Sequence, residues 1–444
     1  MQQESTDKTK TIIYKGGNGM GLILFGTLAV MLMLNVPIAI SLGIASLVAL
    51  TTGNMNTSIV VLVQRMFTSI DSFPFMAIPF FILSGDIMEK GGISKRLIRF
   101  AQVVLGKLPA SLAIITTISS AFFGAISGSN PATVAAIGGI MIPNMEKAGY
   151  PKDRAAAIGA SSGTLGVVIP PSISMVTYAV IAGVSVGKMF LAGFVPGLSL
   201  AAAIIIVAII TCRKFELKST EKITISKIVK SFINAIWAIL MPVIILGGIY
   251  GGVFTPTEAS AVSVVYSIFV AKFIYKELDW KDLPAIISKA AVSTAVVLFT
   301  ICLSAPFTWL MTSANIPTAL AKGVLTAFSN KYVIFFIANL VLLFLGCFLE
   351  TQSIILLMTP ILLPLFISLG MDPIALGIII VINTSIGMIT PPMAVNLFVA
   401  IGIAKISIGE ISRRIIPFLI AEIAVLLLIT YFPEIIMWLP KLLS

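Results

Sequence analysis

The sequence predicts an all-α polytopic membrane protein built on a repeated unit, one re-entrant helical hairpin followed by one broken helix. Three observations carry this. Apolar runs near 20 residues recur along the chain, and about 20 apolar residues cross a bilayer as a helix. The stretch from Gly124 to Pro171 is as apolar as a span, yet it contains Ser-Gly-Ser-Asn-Pro, Gly-Tyr-Pro and Pro-Pro. Helix breakers at membrane depth are tolerated only where the freed backbone lines a protein-enclosed cavity. Finally, the pattern returns from Gly346 to Phe398. A shift of 221 residues carries Pro143 onto Pro364, Gly149 onto Gly370, Gly166 onto Gly387, Pro170-Pro171 onto Pro391-Pro392 and Pro196 onto Pro417. Ser185-Val186-Gly187 matches Ser407-Ile408-Gly409 with one residue of slippage. Interrupted apolar segments in matching positions of two halves point to a transporter binding site.

Composition narrows the function. The 444 residues are 58% hydrophobic and 11% charged, with a mean hydropathy of +1.09. Soluble domains carry roughly twice that charged fraction. The alternating ten-residue segments of a membrane β-barrel are missing. The net charge of +11 is no nucleic-acid signal, because the basic residues cluster between apolar runs, as in cytoplasmic loops. Arg213, Lys214, Lys218, Lys222, Lys227 and Lys230 share one loop with only Glu216 and Glu221. There is no histidine, and Cys212, Cys302 and Cys347 stand apart without metal-type spacing. Neither catalysis nor an organic cofactor is expected.

Residues 1–20 form a polar tail. Residues 21–107 hold a first long apolar segment, interrupted at Asn35 and Pro37, and two surface arms. One arm, Ser58 to Phe75, is too polar to span; the other, Ser94 to Lys107, carries Lys95, Arg96, Arg99 and Lys107. Residues 108–212 are the first repeat, with a hairpin over about 127–148 and a broken helix over about 155–182. Residues 213–324 hold the basic loop and four further segments, Ile233 to Tyr250, Ala259 to Phe273, Leu283 to Ala305 and Phe307 to Val324. Residues 325–414 are the second repeat, with a hairpin over about 350–369 and a broken helix over about 373–403. A last span fills 415–444, from Ile415 to Leu439. In all, about ten to twelve crossings are expected beside the hairpins.

The chemistry is expected at the breaks. Ser127, Gly128, Ser129 and Asn130 place oxygens beside a flexible backbone, and Pro131 stops the incoming helix. Glu350, Thr351, Gln352 and Ser353 form the matching tip. At each Pro-Pro pair two N–H donors are missing, which leaves carbonyls one turn earlier without partners. Thr390 adds a hydroxyl at the second break. Hard cations such as Na⁺ favour such oxygens and need no histidine. The bland alternative is that both breaks are packing kinks. Half-helix N-termini between the tips suit an anion. Glu258 reads equally as a functional buried acid or as a cap following Pro256.

The runs SGSNPATVAAIG, GTLGVVIPPS, GMITPPMAVNLF, GVFTPTEASAV and QRMFTSIDSFPFMAIPFFILSG resemble the large membrane subunit of tripartite ATP-independent periplasmic (TRAP) transporters, from about Gly21 to the C-terminus. The resemblance implies an inverted-repeat, elevator-type ion-transporter fold in the bacterial inner membrane. It implies Na⁺-coupled import of an organic acid, such as a C4-dicarboxylate, sialic acid or another sugar acid. It further implies two partners, a separate four-helix membrane subunit and a periplasmic substrate-binding protein. On this footing one Na⁺ site comprises Ser127, Asn130, Gly166, Ile169 and Pro171, and a second comprises Gly346, Gly387, Thr390 and Met393. The substrate site comprises Ser129, Asn130, Pro131, Thr351, Gln352 and Pro392. A stand-alone ion-coupled carboxylate transporter is the alternative, and a membrane-embedded enzyme the more distant one.

Overall fold

The computed structural model describes residues 19–53, 57–215 and 225–443. Nearly all of the polar tail, and Glu216, Lys218, Glu221 and Lys222 of the basic loop, lie outside the described residues. Among those described, every regular element is a helix.

The first apolar segment folds back on itself as α1 (Gly19–Met33) and α2 (Ile38–Thr52). Asn35 takes a left-handed φ of 59°, and Pro37 begins the return. Met20 reaches Gly53, where an added Cβ would run into its terminal methyl. Fifteen residues rise only about 22 Å, short of the roughly 30 Å hydrocarbon core. The segment is therefore a helical hairpin and not one span. The arm α3 (Val60–Ile70) buries only Leu62 and bends by 62° into the 3-10 turn and α4, Phe73–Lys90. The second arm, α5 (Ile93–Leu105), buries Ile93, Leu97, Ile98 and Ala101 and turns Lys95 and Arg99 to solvent.

The two halves then carry the same succession of elements. In the first, α6 (Ser111–Ser127) meets a tip, and the chain returns through α7 (Asn130–Thr133), a π-turn (Val134–Gly138) and α8 (Gly139–Lys147). Next come α9 (Lys152–Ser162), a 3-10 turn (Gly163–Gly166), the Pro-Pro break, α10 (Ile173–Ala182) and α11 (Val186–Cys212). After α12 (Ile225–Tyr250), α13 (Pro256–Phe269), α14 (Leu283–Ser313) and α15 (Ile316–Ala327), the second half repeats this order. It runs through α16 (Lys331–Phe348), α17 (Thr351–Ser368), α18 (Pro373–Gly387), α19 (Val395–Ala404) and α20 (Ile408–Tyr431), and α21 (Glu434–Leu443) closes the chain.

The residues matched by sequence do the same work in each half. Gly149 and Gly370 adopt left-handed φ values of 90° and 83° in the turns that follow the hairpins. Ser185 and Ser407 cap α11 and α20, each accepting a backbone N–H three residues on. Pro196 and Pro417 lie inside those helices. Gly166 and Gly387 are where the broken helix crosses the incoming helix. An added Cβ on Gly124 would lie 2.8 Å from Gly166 Cα, and one on Gly346 2.8 Å from Gly387 Cα.

Several sequence expectations change. Among the described residues, seven helices are long and apolar enough to cross a membrane, or eight with the bent α3–α4 pair, against the ten to twelve crossings expected. The rest of the apolar chain is divided into pieces of 10–17 residues. Residues 283–313 form a single helix with Pro306 inside it. The chain turns instead at Asn315, in a left-handed φ of 55°. One proline removes one hydrogen bond, which a helix of 31 residues absorbs. The last span begins at Ile408 and not Ile415, because Ser407 and Glu410 form a capping box there. It ends at Tyr431, before Pro433. Glu258 forms the same box with Thr255, so its role is to cap α13.

The centre of the molecule is α9 and α18, buried over Ala155–Ser162 and over every residue from Ile374 to Gly387. The halves interlock around them. The far half of each broken helix packs on the other repeat: α10 on α17 and α18, α19 on α8 and α9. Tyr178 Oη on α10 donates to Pro373 O at the start of α18 at 2.6 Å.

Candidate substrate and ion site

Both tips open onto one cavity of about 490 Å³. Ser127 to Pro131 line it on one side and Glu350 to Gln352 on the other, with Ser174 and Met388 between. The facing wall belongs to α4 (Gly85, Asp86, Glu89) and α14 (Lys289, Ser293, Val297). A site of this size suits a small organic molecule.

At the first tip, oxygens gather around Gly166. Thr133 Oγ1 donates to Ser129 O at 2.8 Å and lies 3.1 Å from Ser127 Oγ. A Cβ on Gly166 would stand 2.5 Å from Ser129 O and 2.7 Å from Thr133 Oγ1. Only a glycine lets the broken helix approach this oxygen cluster.

Asn130 is fully buried and bridges the halves. Its Oδ1 accepts the Val167 N–H at 2.9 Å, and its Nδ2 donates to Ser385 Oγ at 2.7 Å. Ser385 Oγ donates in turn to Thr164 O at 2.7 Å. Thr164 and Ser385 are themselves 221 residues apart, so this bond joins equivalent positions of the two repeats. The second tip reaches the other way. Gln352 Nε2 donates to Ser174 Oγ at 3.3 Å, while Gln352 Oε1 and Ser353 Oγ are buried without partners. Each tip thus engages the broken helix of the opposite repeat as well as its own.

The second break departs from expectation. Its preceding carbonyls have partners: Ile386 O accepts from Ile389 N–H at 3.0 Å and Gly387 O from Thr390 N–H at 2.9 Å. Met388 O accepts from Asn396 N–H at 3.0 Å. Tight turns and the returning chain supply the donors that the prolines withhold. The Thr390 hydroxyl donates back to Ile386 O, one turn earlier, at 2.9 Å. Pro392 and Met393 are exposed, whereas Ile169 and Pro171 are buried. Gly346 and Gly387 meet at the helix crossing. Of the expected substrate residues, Ser129, Asn130, Pro131, Thr351 and Gln352 share the cavity, and Pro392 is not in its lining.

Sequence reasoning missed Thr133, Ser385, Thr164 and Ser174. The 221-residue shift was sufficient to pair Thr164 with Ser385. It also missed the charged wall. Lys289 Nζ lies 2.8 Å from Asp86 Oδ1 and 3.5 Å from Glu89 Oε2. These three residues also line a second opening of about 580 Å³ with Lys90, Lys95 and Glu277. No local motif brings α4 beside α14.

Comparison with known proteins agrees with this architecture. The model of the DctM component of the tripartite ATP-independent periplasmic transporter matches residues 25–435. The C4-dicarboxylate TRAP transporter large permease protein DctM of Rhodobacter capsulatus is 40% identical, covering 95% of this chain and 99% of its own. The sialic acid TRAP transporter large permease protein SiaM of Vibrio cholerae is 35% identical, covering 94% and 98%. The isethionate TRAP transporter permease protein DctMQ of Oleidesulfovibrio alaskensis is 42% identical, covering 94% of this chain and 66% of its own. Among solved structures, the Alcanivorax borkumensis YdaH transporter aligns over 83% of this chain and 86% of its own with a TM-score of 0.59. At 13% identity that likeness speaks for the fold alone.

Proposed function

The chain belongs to the DctM family of TRAP transporter large permeases, multi-pass proteins of the bacterial inner membrane that are transporters and not enzymes, and from that premise we propose that it imports an organic acid in a Na⁺-coupled elevator cycle. The observation that carries this reading is the single cavity shared by two tips on one side and a charged wall on the other. The interlocked repeats, centred on α9 and α18, form the moving body. The static scaffold comprises α4, α12, α13 and α14, with the α1–α2 hairpin packed on α14. Opposed orientation of the two repeats in the membrane makes them an inverted pair.

The first cation site is formed by Ser127 Oγ, Ser129 O and Thr133 Oγ1 around Gly166, with Asn130 holding the tip in place. The second lies at the Gly346–Gly387 crossing beside Thr390. The substrate occupies the cavity between Ser129–Pro131 and Thr351–Gln352. The cavity leads through Asp86, Glu89 and Lys289 toward Lys95 and Glu277. Tyr275 Oη bonds Asn234 O at 3.0 Å, so the end of α13 sits beside the beginning of α12, next to the basic loop. By the positive-inside rule that side is cytoplasmic, and the conformation is inward-facing.

Relatives carry names for C4-dicarboxylate, sialic acid and isethionate transport, and an organic acid of that class is the substrate here. About a third of the DctMQ relative lies outside the match, and a small membrane subunit is the partner in the membrane. A periplasmic binding protein delivers the substrate. The test is uptake by proteoliposomes containing the membrane complex, with binding protein and a panel of organic acids. Uptake driven by a Na⁺ gradient and lost when choline replaces Na⁺ is expected. Equal uptake in both, with pH clamped, would refute the coupling.

A further inference from the structure

Glu422 lies in the middle of α20 and is 0% exposed. Its Oε1 accepts from Ser161 Oγ at 2.7 Å, and its Oε2 is buried with no partner. No ion pair reaches it among the described residues. The titratable groups on the elements packed against α20 lie at helix ends. On α9 these are Lys152, Asp153 and Arg154, all in the first turn; on α11, Lys188 and Cys212; on α16, Lys331, Tyr332 and Cys347. Glu434 and Lys441 of α21 pair with each other at 2.9 Å, and α18 and α19 contain none. On α20 itself, Glu410, Arg413 and Arg414 lie near the start and Tyr431 at the end.

Helices α9 and α20 run parallel and in register. Arg414 Nε pairs with Asp153 at 2.7 Å, and eight residues further along both helices Ser161 meets Glu422. Eight residues rise about 12 Å, which puts Glu422 that far below the surface pair. A carboxyl group there has given up its hydration for a hydroxyl donor on Oε1 and keeps Oε2 unpartnered. A metal cation needs several oxygens and a space of its own, whereas a proton needs only the free oxygen. Ionisable residues at this depth are usually functional.

The site is also wired to the first tip. Thr164 Oγ1 donates to Ser161 O at 2.7 Å, and Thr164 O accepts from Ser385, which holds Asn130. We propose that Glu422 is a proton-binding site of the moving body, filled while the first tip is engaged and emptied at alkaline pH. Loss of the proton leaves a buried carboxylate that draws on Ser161 and its neighbours and loosens the Thr164–Ser385–Asn130 link. Cation affinity at the first tip then falls.

The inference rests on the transporter reading for its consequence, but its core is readable without transport. Infrared spectra of the purified complex, parent against Glu422→Gln, should show a protonated-carboxyl band in the parent that disappears on alkalinisation. In proteoliposomes, the parent's Na⁺ concentration for half-maximal uptake should rise by up to about tenfold per pH unit beyond the midpoint. Glu422→Gln, which mimics the neutral acid, should transport and lack that rise. Ser161→Ala removes a donor that favours the carboxylate, so its alkaline limb should move to higher pH. Superimposable pH profiles for parent and Glu422→Gln would overturn the proposal. So would a folded Glu422→Gln complex without uptake, since that would mean the charged form is needed. Were Glu422→Gln not to fold, an unmoved alkaline limb in Ser161→Ala would overturn it equally. If no variant transports under any condition, the infrared band still decides: its presence supports the site and its absence refutes it.

Discussion

Asn130 and Ser385 are the sharpest place to test how the two repeats hold the first tip. Asn130→Ala removes two strong hydrogen bonds, those with Val167 N–H and Ser385 Oγ, beside a weak 3.5 Å contact from its Nδ2 to Met388 Sδ that is left out of the sum. Ser385→Ala also removes two, from Asn130 and to Thr164 O. The double variant removes three, because one bond is shared. At about 1 kcal/mol per bond, each single change costs about 2 kcal/mol and the double about 3 rather than 4. If the engaged tip is the ion-competent state, its lost population appears directly in apparent Na⁺ affinity. Each single variant should then raise the Na⁺ concentration for half-maximal uptake by up to about thirtyfold, since 1.4 kcal/mol is a factor of ten. The shortfall of about 1 kcal/mol makes the double variant about fivefold better than the product of the singles. The assay is initial uptake against external Na⁺ in proteoliposomes of all four proteins, with melting in detergent followed in parallel. Strictly multiplicative effects would refute the shared bond. Unchanged Na⁺ curves would refute the claim that the bridge holds the ion site.

Other predictions follow from the same geometry. Gly166→Ala forces a methyl against Ser129 O and Thr133 Oγ1 and should abolish Na⁺-dependent uptake; a variant with wild-type Na⁺ affinity would remove the oxygen cluster from consideration. Gly387→Ala meets Gly346 backbone at 2.5 Å, and overpacking of about 1–3 kcal/mol should lower the melting temperature of the complex; equal melting would show that the crossing relaxes freely. Thr390→Val should raise half-maximal Na⁺ by about three- to tenfold, the worth of one hydrogen-bond-type contact, and an unmoved curve would leave that hydroxyl only its bond to Ile386 O. Lys289→Met leaves Asp86 and Glu89 without their cation and should slow uptake several-fold, with partial recovery in the Lys289→Met, Asp86→Asn double variant; recovery in neither would exclude a charge effect at the wall.

Much of this protein was legible from residue order alone, because its most informative residues act through the backbone. Glycine and proline set local conformation wherever they stand, so Gly149 and Gly370, Pro196 and Pro417, and the two Pro-Pro breaks announced the repeat before any contact was known. Ser185 and Ser407 also matched between the repeats, but that Ser407 starts a helix at Ile408 emerged only from the structure, through its capping box with Glu410. Where local rules compete, the tertiary structure decided. Pro306 does not end its helix, because a 31-residue helix retains enough hydrogen bonds to run through the gap, while Asn315, a less conspicuous residue, does. Asn35 and Pro37 turn a span-length run into a hairpin, because Met20 and Gly53 pack together. Sequence placed oxygens at both tips, but not their partners. That Asn130 reaches Ser385, and Gln352 reaches Ser174, depends on how the two halves interlock. The wall of Asp86, Glu89 and Lys289 joins residues some 200 positions apart on helices α4 and α14, and no periodicity within either helix encodes that meeting. Side-chain chemistry at one position is a property of the chain, whereas a cavity is a property of the surfaces that close around it.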